Sequence, residues 1–148
     1  MDALNAMPDM YTIKFASIFA TYPKANLSIF GGIIDQAIGT FLLITVFLAI
    51  MDKRNNTKED GLHWSTSAFA MGLSVTLIGM SFGYNSAFAI NPARDFAPRV
   101  FSYIIGWDIQ VFTAGNYFFW IPLVAPFLGA LIAVILYIIL INNDKERK

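Results

Sequence analysis

The chain has 148 residues, of which 57% are hydrophobic and 16% aromatic, and its ten Lys and Arg residues balance ten Asp and Glu residues. A net charge of zero gives no reason to expect nucleic acid as a partner, while the lack of cysteine and the single histidine, His63, exclude a thiol nucleophile, a disulfide framework and a multi-histidine metal site. The mean hydropathy of +0.59 is typical of an integral membrane protein.

Three segments are long and apolar enough to cross a bilayer, which needs about 20 residues of helix. They cover residues 29–51, 64–82 and 118–141, and only the first contains a charged residue, Asp35. None has a polar face at helical period, so buried helices of a soluble protein are the less favoured alternative. We therefore predict an all-α membrane protein with three transmembrane helices.

Polar side chains in the first span need partners if they lie within lipid. Asp35 is near the outer end of the span, and we expect it at the membrane interface rather than in a proton relay. Gln36 and Thr40 share a face, and we expect them to satisfy buried loop backbone rather than to contact a solute.

The basic residues that flank the spans predict the orientation of the chain in the membrane. They occur in the link 52–63 and in the tail 142–148, so both should be cytoplasmic. Residues 1–28 then form an extracellular, loop-like segment, which has no features of a cleaved signal peptide. The basic residues of these two segments are Lys53, Arg54, Lys58, Lys145, Arg147 and Lys148.

A shorter helix is predicted over residues 91–105. Asn91 is a preferred N-cap, and Pro92 suits the first helical position, where its missing N–H has no helical partner anyway. The segment is too short to cross, so we predict a re-entrant half-helix. A capped surface loop would also explain Asn91 and Pro92, but it would leave Arg94 unexplained.

Charged residues of this half-helix lie at or near membrane depth, where charge is tolerated only inside protein or beside a wet cavity. Asp95 precedes Arg99 by four residues, so the two can pair along one face. Pro98 cannot donate to the carbonyl of Arg94 and is expected to kink the helix.

The start of the half-helix suggests how a passing solute would be selected. Its positive dipole end and the Arg94 charge should repel cations and protons. We expect Ala87, Phe88, Ala89 and Ile90 to approach in extended form with unpaired carbonyls. Water or a solute with hydroxyl groups could accept from Asn91 and Arg94 and donate to those carbonyls. Such a site would select a solute without breaking any bond. The sequence has no paired carboxylates, and no nucleophile with a base, that would suggest an enzyme.

The sequence Asn91-Pro92-Ala93-Arg94 resembles the Asn-Pro-Ala box and filter arginine of the aquaporin superfamily. Asp95 after the arginine is similar to the aquaglyceroporin branch. Further stretches resemble the same branch: SIFATYPKANLS (17–28), IIDQAIGT (33–40) and GYNSAFAINPARD (83–95). The resemblance covers nearly all of residues 17–141. It implies an aquaporin-like half-repeat, with three transmembrane helices and one re-entrant half-helix within residues 29–141.

The resemblance also implies that Phe88, Gly79 and Arg94 are filter positions, with Gly79 in place of a histidine that narrows water-selective members. Phe88 would then offer a flat apolar wall. Packing against a neighbouring helix is the alternative role for Gly79, which pairs with Gly83 as small-xxx-small. Gly72, Val75 and Thr76 share its face and could extend the wall.

Two alanines depart from the family pattern. Ala87 and Ala97 stand where the family commonly has glycine. If Ala87 adopts a positive φ, its methyl group costs about 1 kcal/mol.

The family is built from two inverted halves, and this chain resembles the second half only, because it contains one Asn-Pro-Ala box. The implied function is a passive channel for glycerol, water and other small neutral solutes, with urea as a further candidate. The implied setting is a plasma-membrane homotetramer without cofactor or metal. The alternative is a truncated, non-conducting three-span protein that interacts with full-length channels and would tolerate loss of Asn91 and Arg94.

Overall fold

The computed structural model describes residues 15–52 and 64–142. These residues form five α-helices with short irregular connections, and no strand occurs among them. Three helical segments are long and apolar enough to cross a membrane, so the chain is an all-α membrane protein. The helices are α1 (Ile29–Met51), α2 (Trp64–Ser86), α3 (Pro92–Ile104), α4 (Gln110–Tyr117) and α5 (Ile121–Tyr137).

The ends of the second and third spans differ from the predicted ends. Helix α2 continues to Ser86 rather than ending at residue 82, and it stops where Ala87 takes a positive φ of 54°. Helix α4 is interrupted by non-helical backbone at Ala114, Gly115 and Asn116. A 3₁₀ turn (Phe118–Trp120) then leads into α5, and a π-helical turn (Ile138–Asn142) follows it. These breaks follow local backbone torsions, which apolar periodicity does not reveal.

Residues 15–28 pack against the helices instead of forming a free loop. Ala16, Ala20 and Thr21 are buried, and Ser28 caps α1 by accepting from the Gly31 N–H at 3.0 Å. The basic residues behind the predicted orientation, like residues 1–14, lie outside the described residues.

The core of the fold is the contact between α1 and α5, which is more extensive than that between α1 and α2. Gly129 of α5 lies directly against the backbone of Ala37 in α1, because a Cβ at Gly129 would overlap the Ala37 carbonyl oxygen. Small residues allow such close approach between membrane helices. A cluster of Phe118, Ile121 and Ala125 continues the contact towards the N-terminal end of α1.

We expect Gly129→Ala to destabilise the chain by about 1–3 kcal/mol or more, because the added methyl group must push two backbones apart. Thermal unfolding in detergent measures this effect. The matched control is Gly72→Ala, since a Cβ there meets nothing within 4 Å. Equal melting temperatures for the two variants would contradict the close contact.

Candidate functional site

Asn91 is the N-cap of the half-helix α3, and its extended backbone (φ −141°, ψ 112°) precedes the first turn at Pro92. The Asn91 Oδ1 accepts from the backbone N–H of Ala93 at 3.0 Å and of Arg94 at 3.2 Å. Pro92 occupies the first turn, as the sequence predicts, and α3 continues through Pro98 as one helix. The cap uses the Asn91 oxygen and leaves its Nδ2 group available as a donor.

The segment before Asn91 is not extended, so that prediction is wrong. Ala87, Phe88 and Ile90 have φ of 54°, 56° and 36°, in the left-handed region that disfavours residues with a Cβ. Each such residue costs of order 1–3 kcal/mol and must be held by its surroundings. Within residues 15–52 and 64–142, the carbonyls of residues 87–90 accept no hydrogen bond, so they remain available as acceptors.

Polar residues of α1 hold this segment from behind. Gln36 Oε1 accepts from the Ile90 N–H at 2.7 Å, which confirms that Gln36 satisfies buried loop backbone. Thr40 does not satisfy loop backbone, because its hydroxyl donates to the Gln36 carbonyl within α1. Asp35 is buried within the protein, at 7% exposed, and accepts from Asn85 and Ser86. Its position at the membrane interface stays a prediction. A lone acid is buried here because two partners on α2 satisfy it.

A groove of about 440 Å³ runs along the start of α3. It brings together Phe88, Ala89, Asn91 and Arg94 of the predicted site, and most of its other walls are apolar. Gly79 and Ala87 do not line it. The remaining lining residues are Thr40, Leu43, Val75, Ile90, Pro92, Pro126, Phe127 and Ala130.

The wall that α5 contributes was not predicted from the sequence. Pro126, Phe127 and Ala130 face the groove from that helix. Their i, i+4 spacing places Pro126 and Ala130 on one face, but nothing in an apolar span distinguishes this face from those against lipid or protein. Of the proposed wall of α2, Val75 lines the groove, whereas Gly72 and Thr76 do not.

Gly79 acts on the groove through Phe88. A Cβ at Gly79 would lie 3.3 Å from both Cδ1 and Cε1 of the Phe88 ring. The ring therefore packs flat over the glycine. Any side chain at residue 79 would push it towards the groove, so Gly79 sets the position of the Phe88 wall.

Asn91 and Arg94 present free donors in this groove. Both residues are exposed, and neither the Asn91 Nδ2 group nor the Arg94 guanidinium bonds to another described residue. The unpaired carbonyls of residues 87–90 lie just before them in the chain. Donors, acceptors and an apolar wall thus meet along one path.

Asp95 and Arg99 point away from the groove into the protein. Both are fully buried and pair at 3.1 Å, as their spacing predicts. Asp95 accepts from the backbone N–H of Thr21 at 2.7 Å and from its hydroxyl, while Arg99 donates to the carbonyls of Thr21 and Val111. The pair therefore ties α3 to the segment before α1 and to the start of α4.

Tyr22 completes this buried cluster. Its ring lies against Arg99, with the guanidinium carbon 4.4 Å from the ring centre. Burial raises the pKa of the Tyr22 phenol, an effect that the Arg99 charge partly offsets and Asp95 reinforces. The phenol therefore stays protonated at neutral pH, and its O–H can donate to the Val111 carbonyl at 3.5 Å. Thr21, Tyr22 and Val111 carry no sequence signal for this role, because their partners lie far away in the chain.

Among residues 15–52 and 64–142, no group of His, Cys, Asp or Glu could hold a metal ion. The arrangement can bind and orient a small neutral solute, and its exposed groups are hydrogen-bonding donors and acceptors rather than a nucleophile and base.

The similarities of this chain to known proteins agree on one family. The match to the major intrinsic protein family covers residues 4–137. Human aquaporin-10 is 44% identical over 126 residues, or 85% of this chain and 40% of that protein, and mouse aquaporin-9 is 43% identical over 138 residues, or 90% and 45%. The chain thus spans less than half the length of these relatives.

The fold has a similar relative among solved structures. The X-ray structure of the aquaglyceroporin from Plasmodium falciparum matches with a TM-score of 0.73 and 29% identity, over 86% of this chain and 55% of that one. Because this family consists of channels, the prediction that the chain is not an enzyme is confirmed. The chain belongs to the major intrinsic protein family, where it resembles the aquaglyceroporins.

Proposed function

We propose that the chain forms the second half of a passive channel for glycerol, water and other small neutral solutes, including urea. The observation that carries the proposal is the groove. There, the free donors of Asn91 and Arg94 follow unpaired carbonyls at residues 88–90, beside the apolar ring of Phe88. A polyol has hydroxyls along one side and carbon along the other, so it fits both surfaces at once.

The complete channel requires a second half that covers the groove. Left open, the groove would present Asn91, Arg94 and bare carbonyls to lipid, and each unsatisfied group costs several kcal/mol there. The length of the relatives supports this reading. In the proposed protein, residues 29–141 are the second repeat, the complete chains form tetramers in the plasma membrane, and the tail is cytoplasmic.

Solute flux tests the proposal directly. Proteoliposomes with the complete channel should shrink in hyperosmotic glycerol and then reswell as glycerol enters, measured by stopped-flow light scattering. Flux equal to that of empty vesicles would contradict the channel. It would favour the alternative, a non-conducting three-span protein that associates with full-length channels.

Gly79→Val tests the role of Phe88. The added side chain should push the ring into the groove and reduce glycerol permeability more than water permeability, because glycerol is the wider solute. The matched control is Gly83→Ala, where the Cβ would lie 4.0 Å from Phe88 Cβ in ordinary contact. An unchanged ratio of glycerol to water permeability in Gly79→Val would rule out Phe88 as a size-limiting wall.

A further inference from the structure

A chain of hydrogen bonds runs from a buried carboxylate to the backbone of the groove. Ser86 Oγ donates to Asp35 Oδ2 at 2.7 Å, and Gln36 Nε2 donates to Ser86 Oγ at 2.6 Å. At the far end, the Ile90 N–H donates to Gln36 Oε1 at 2.7 Å. Asp35, Gln36 and Ser86 are between 0% and 7% exposed, so water does not compete for these groups.

The chain of hydrogen bonds has a fixed direction. An ionised carboxylate only accepts, so the single hydroxyl hydrogen of Ser86 is used on Asp35. The Ser86 oxygen must then accept from Gln36, which turns the amide nitrogen of Gln36 towards Ser86 and its oxygen towards Ile90. If Gln36 were reversed, its NH₂ group would face the Ile90 N–H, and two donors would meet in a buried site.

We infer that Asp35 is a positioning residue of the groove, acting through Ser86 and Gln36. Its carboxylate sets the direction of the Gln36 amide, which holds Ile90 at φ 36°. With the Ile90 N–H bonded to Gln36, the carbonyls of residues 88–90 stay free for solute. The inference rests on the proposed channel, because those carbonyls matter only if a solute passes them.

The second carboxylate oxygen makes Asp35 hard to replace. Asp35 Oδ1 accepts from Asn85 Nδ2 at 3.0 Å, so both oxygens receive hydrogens. An asparagine at residue 35 has one oxygen and one NH₂ group, so it can accept from Ser86 only if its NH₂ group faces Asn85 and the exposed Asn85 amide turns its own oxygen towards it. Asp35→Asn therefore leaves the direction of the hydrogen-bond chain to the rotation of two amides instead of fixing it by a carboxylate, while nearly preserving the volume of the side chain.

Moving the carboxylate from residue 35 to residue 36 should restore a fully paired hydrogen-bond chain. In Asp35→Asn/Gln36→Glu, the new carboxylate at residue 36 accepts from both the Ile90 N–H and the Ser86 hydroxyl. The NH₂ group of the new amide at residue 35 then donates to the Ser86 oxygen, and the oxygen of that amide accepts from Asn85. Every group is paired again. In Gln36→Glu alone, two adjacent carboxylates compete for one Ser86 hydrogen.

Hydrogen exchange of the Ile90 amide reports whether the hydrogen-bond chain is intact, independently of transport. It is measured on the complete channel in detergent. We expect exchange to be about tenfold faster in Asp35→Asn and in Gln36→Glu, and close to wild type in the double variant. Ser86→Ala should resemble the single variants. Ser81→Ala is the matched control, because its hydroxyl only donates to the Leu77 carbonyl within α2, and it should leave Ile90 unchanged.

Rescue distinguishes positioning from general stability. Single-variant effects that add up in the double variant, or a double variant that fails to fold, would overturn the inference. Glycerol permeability should fall in the single variants and return in the double variant. If the exchange pattern holds but the wild type passes no glycerol, the proposed function fails and the hydrogen-bond chain stands. If the wild type conducts but exchange shows no rescue, the role of Asp35 fails alone.

Discussion

Replacing Arg94 with alanine should let cations and protons through the complete channel while neutral solutes continue to pass. Two positive groups act at the start of α3: the helix end, worth about half a charge, and the full charge of Arg94. A unit charge 4 Å away contributes about 4 kcal/mol at an effective dielectric constant of 20. At 1.4 kcal/mol for each factor of ten, its loss raises cation permeability by up to roughly a thousandfold.

Proton flux into proteoliposomes, followed with an enclosed pH-sensitive dye, measures the effect of Arg94→Ala. Arg94→Lys keeps the charge and should keep most of the exclusion, although it loses the planar donor group. Arg94 pairs with no acid in the described ranges, so its charge should not be neutralised by a neighbour. If Arg94→Ala excludes protons as well as the wild type does, the barrier lies elsewhere in the channel.

Asp95→Ala should be strongly destabilising, by about 3–5 kcal/mol, because it leaves the buried Arg99 charge without its partner. It also removes the acceptor for the Thr21 N–H and hydroxyl. We expect a lower melting temperature in detergent together with faster proteolysis of residues 15–28. Asp108→Ala is the matched control, because Asp108 is exposed and, among the described residues, its side chain accepts only from the adjacent Ile109 N–H.

A double variant checks the cause of this loss. In Asp95→Ala/Arg99→Met the unpaired charge is gone, so part of the stability should return. A double variant that melts lower than either single variant would show that the hydrogen bonds to Thr21 and Val111, rather than the charge, dominate.

Features encoded by neighbouring residues could be predicted, and features that join distant residues could not. Asn91 and Pro92 carry capping signals within one turn, and Asp95 and Arg99 are four residues apart. The helix cap and the ion pair could therefore both be predicted from the sequence. The partners Thr21 and Val111 follow only from the folded chain. The left-handed backbone at Phe88 and Ile90 was also hidden, because residues with large side chains usually avoid it, whereas the family's glycine had raised a positive φ at Ala87. Tertiary contacts, such as that between Gln36 and Ile90, override this local preference.

The cluster around Arg99 also has a consequence for biosynthesis. Thr21 precedes the first span and Val111 follows the half-helix, so the two carbonyls that accept from Arg99 leave the ribosome at well-separated times. A nascent chain that ends before Val111 carries an incompletely bonded guanidinium, which favours keeping α3 in water. Once Val111 has emerged, all the partners are present. We therefore expect the re-entrant segment to dock only after that point, with the insertion of α5 closing the fold over it.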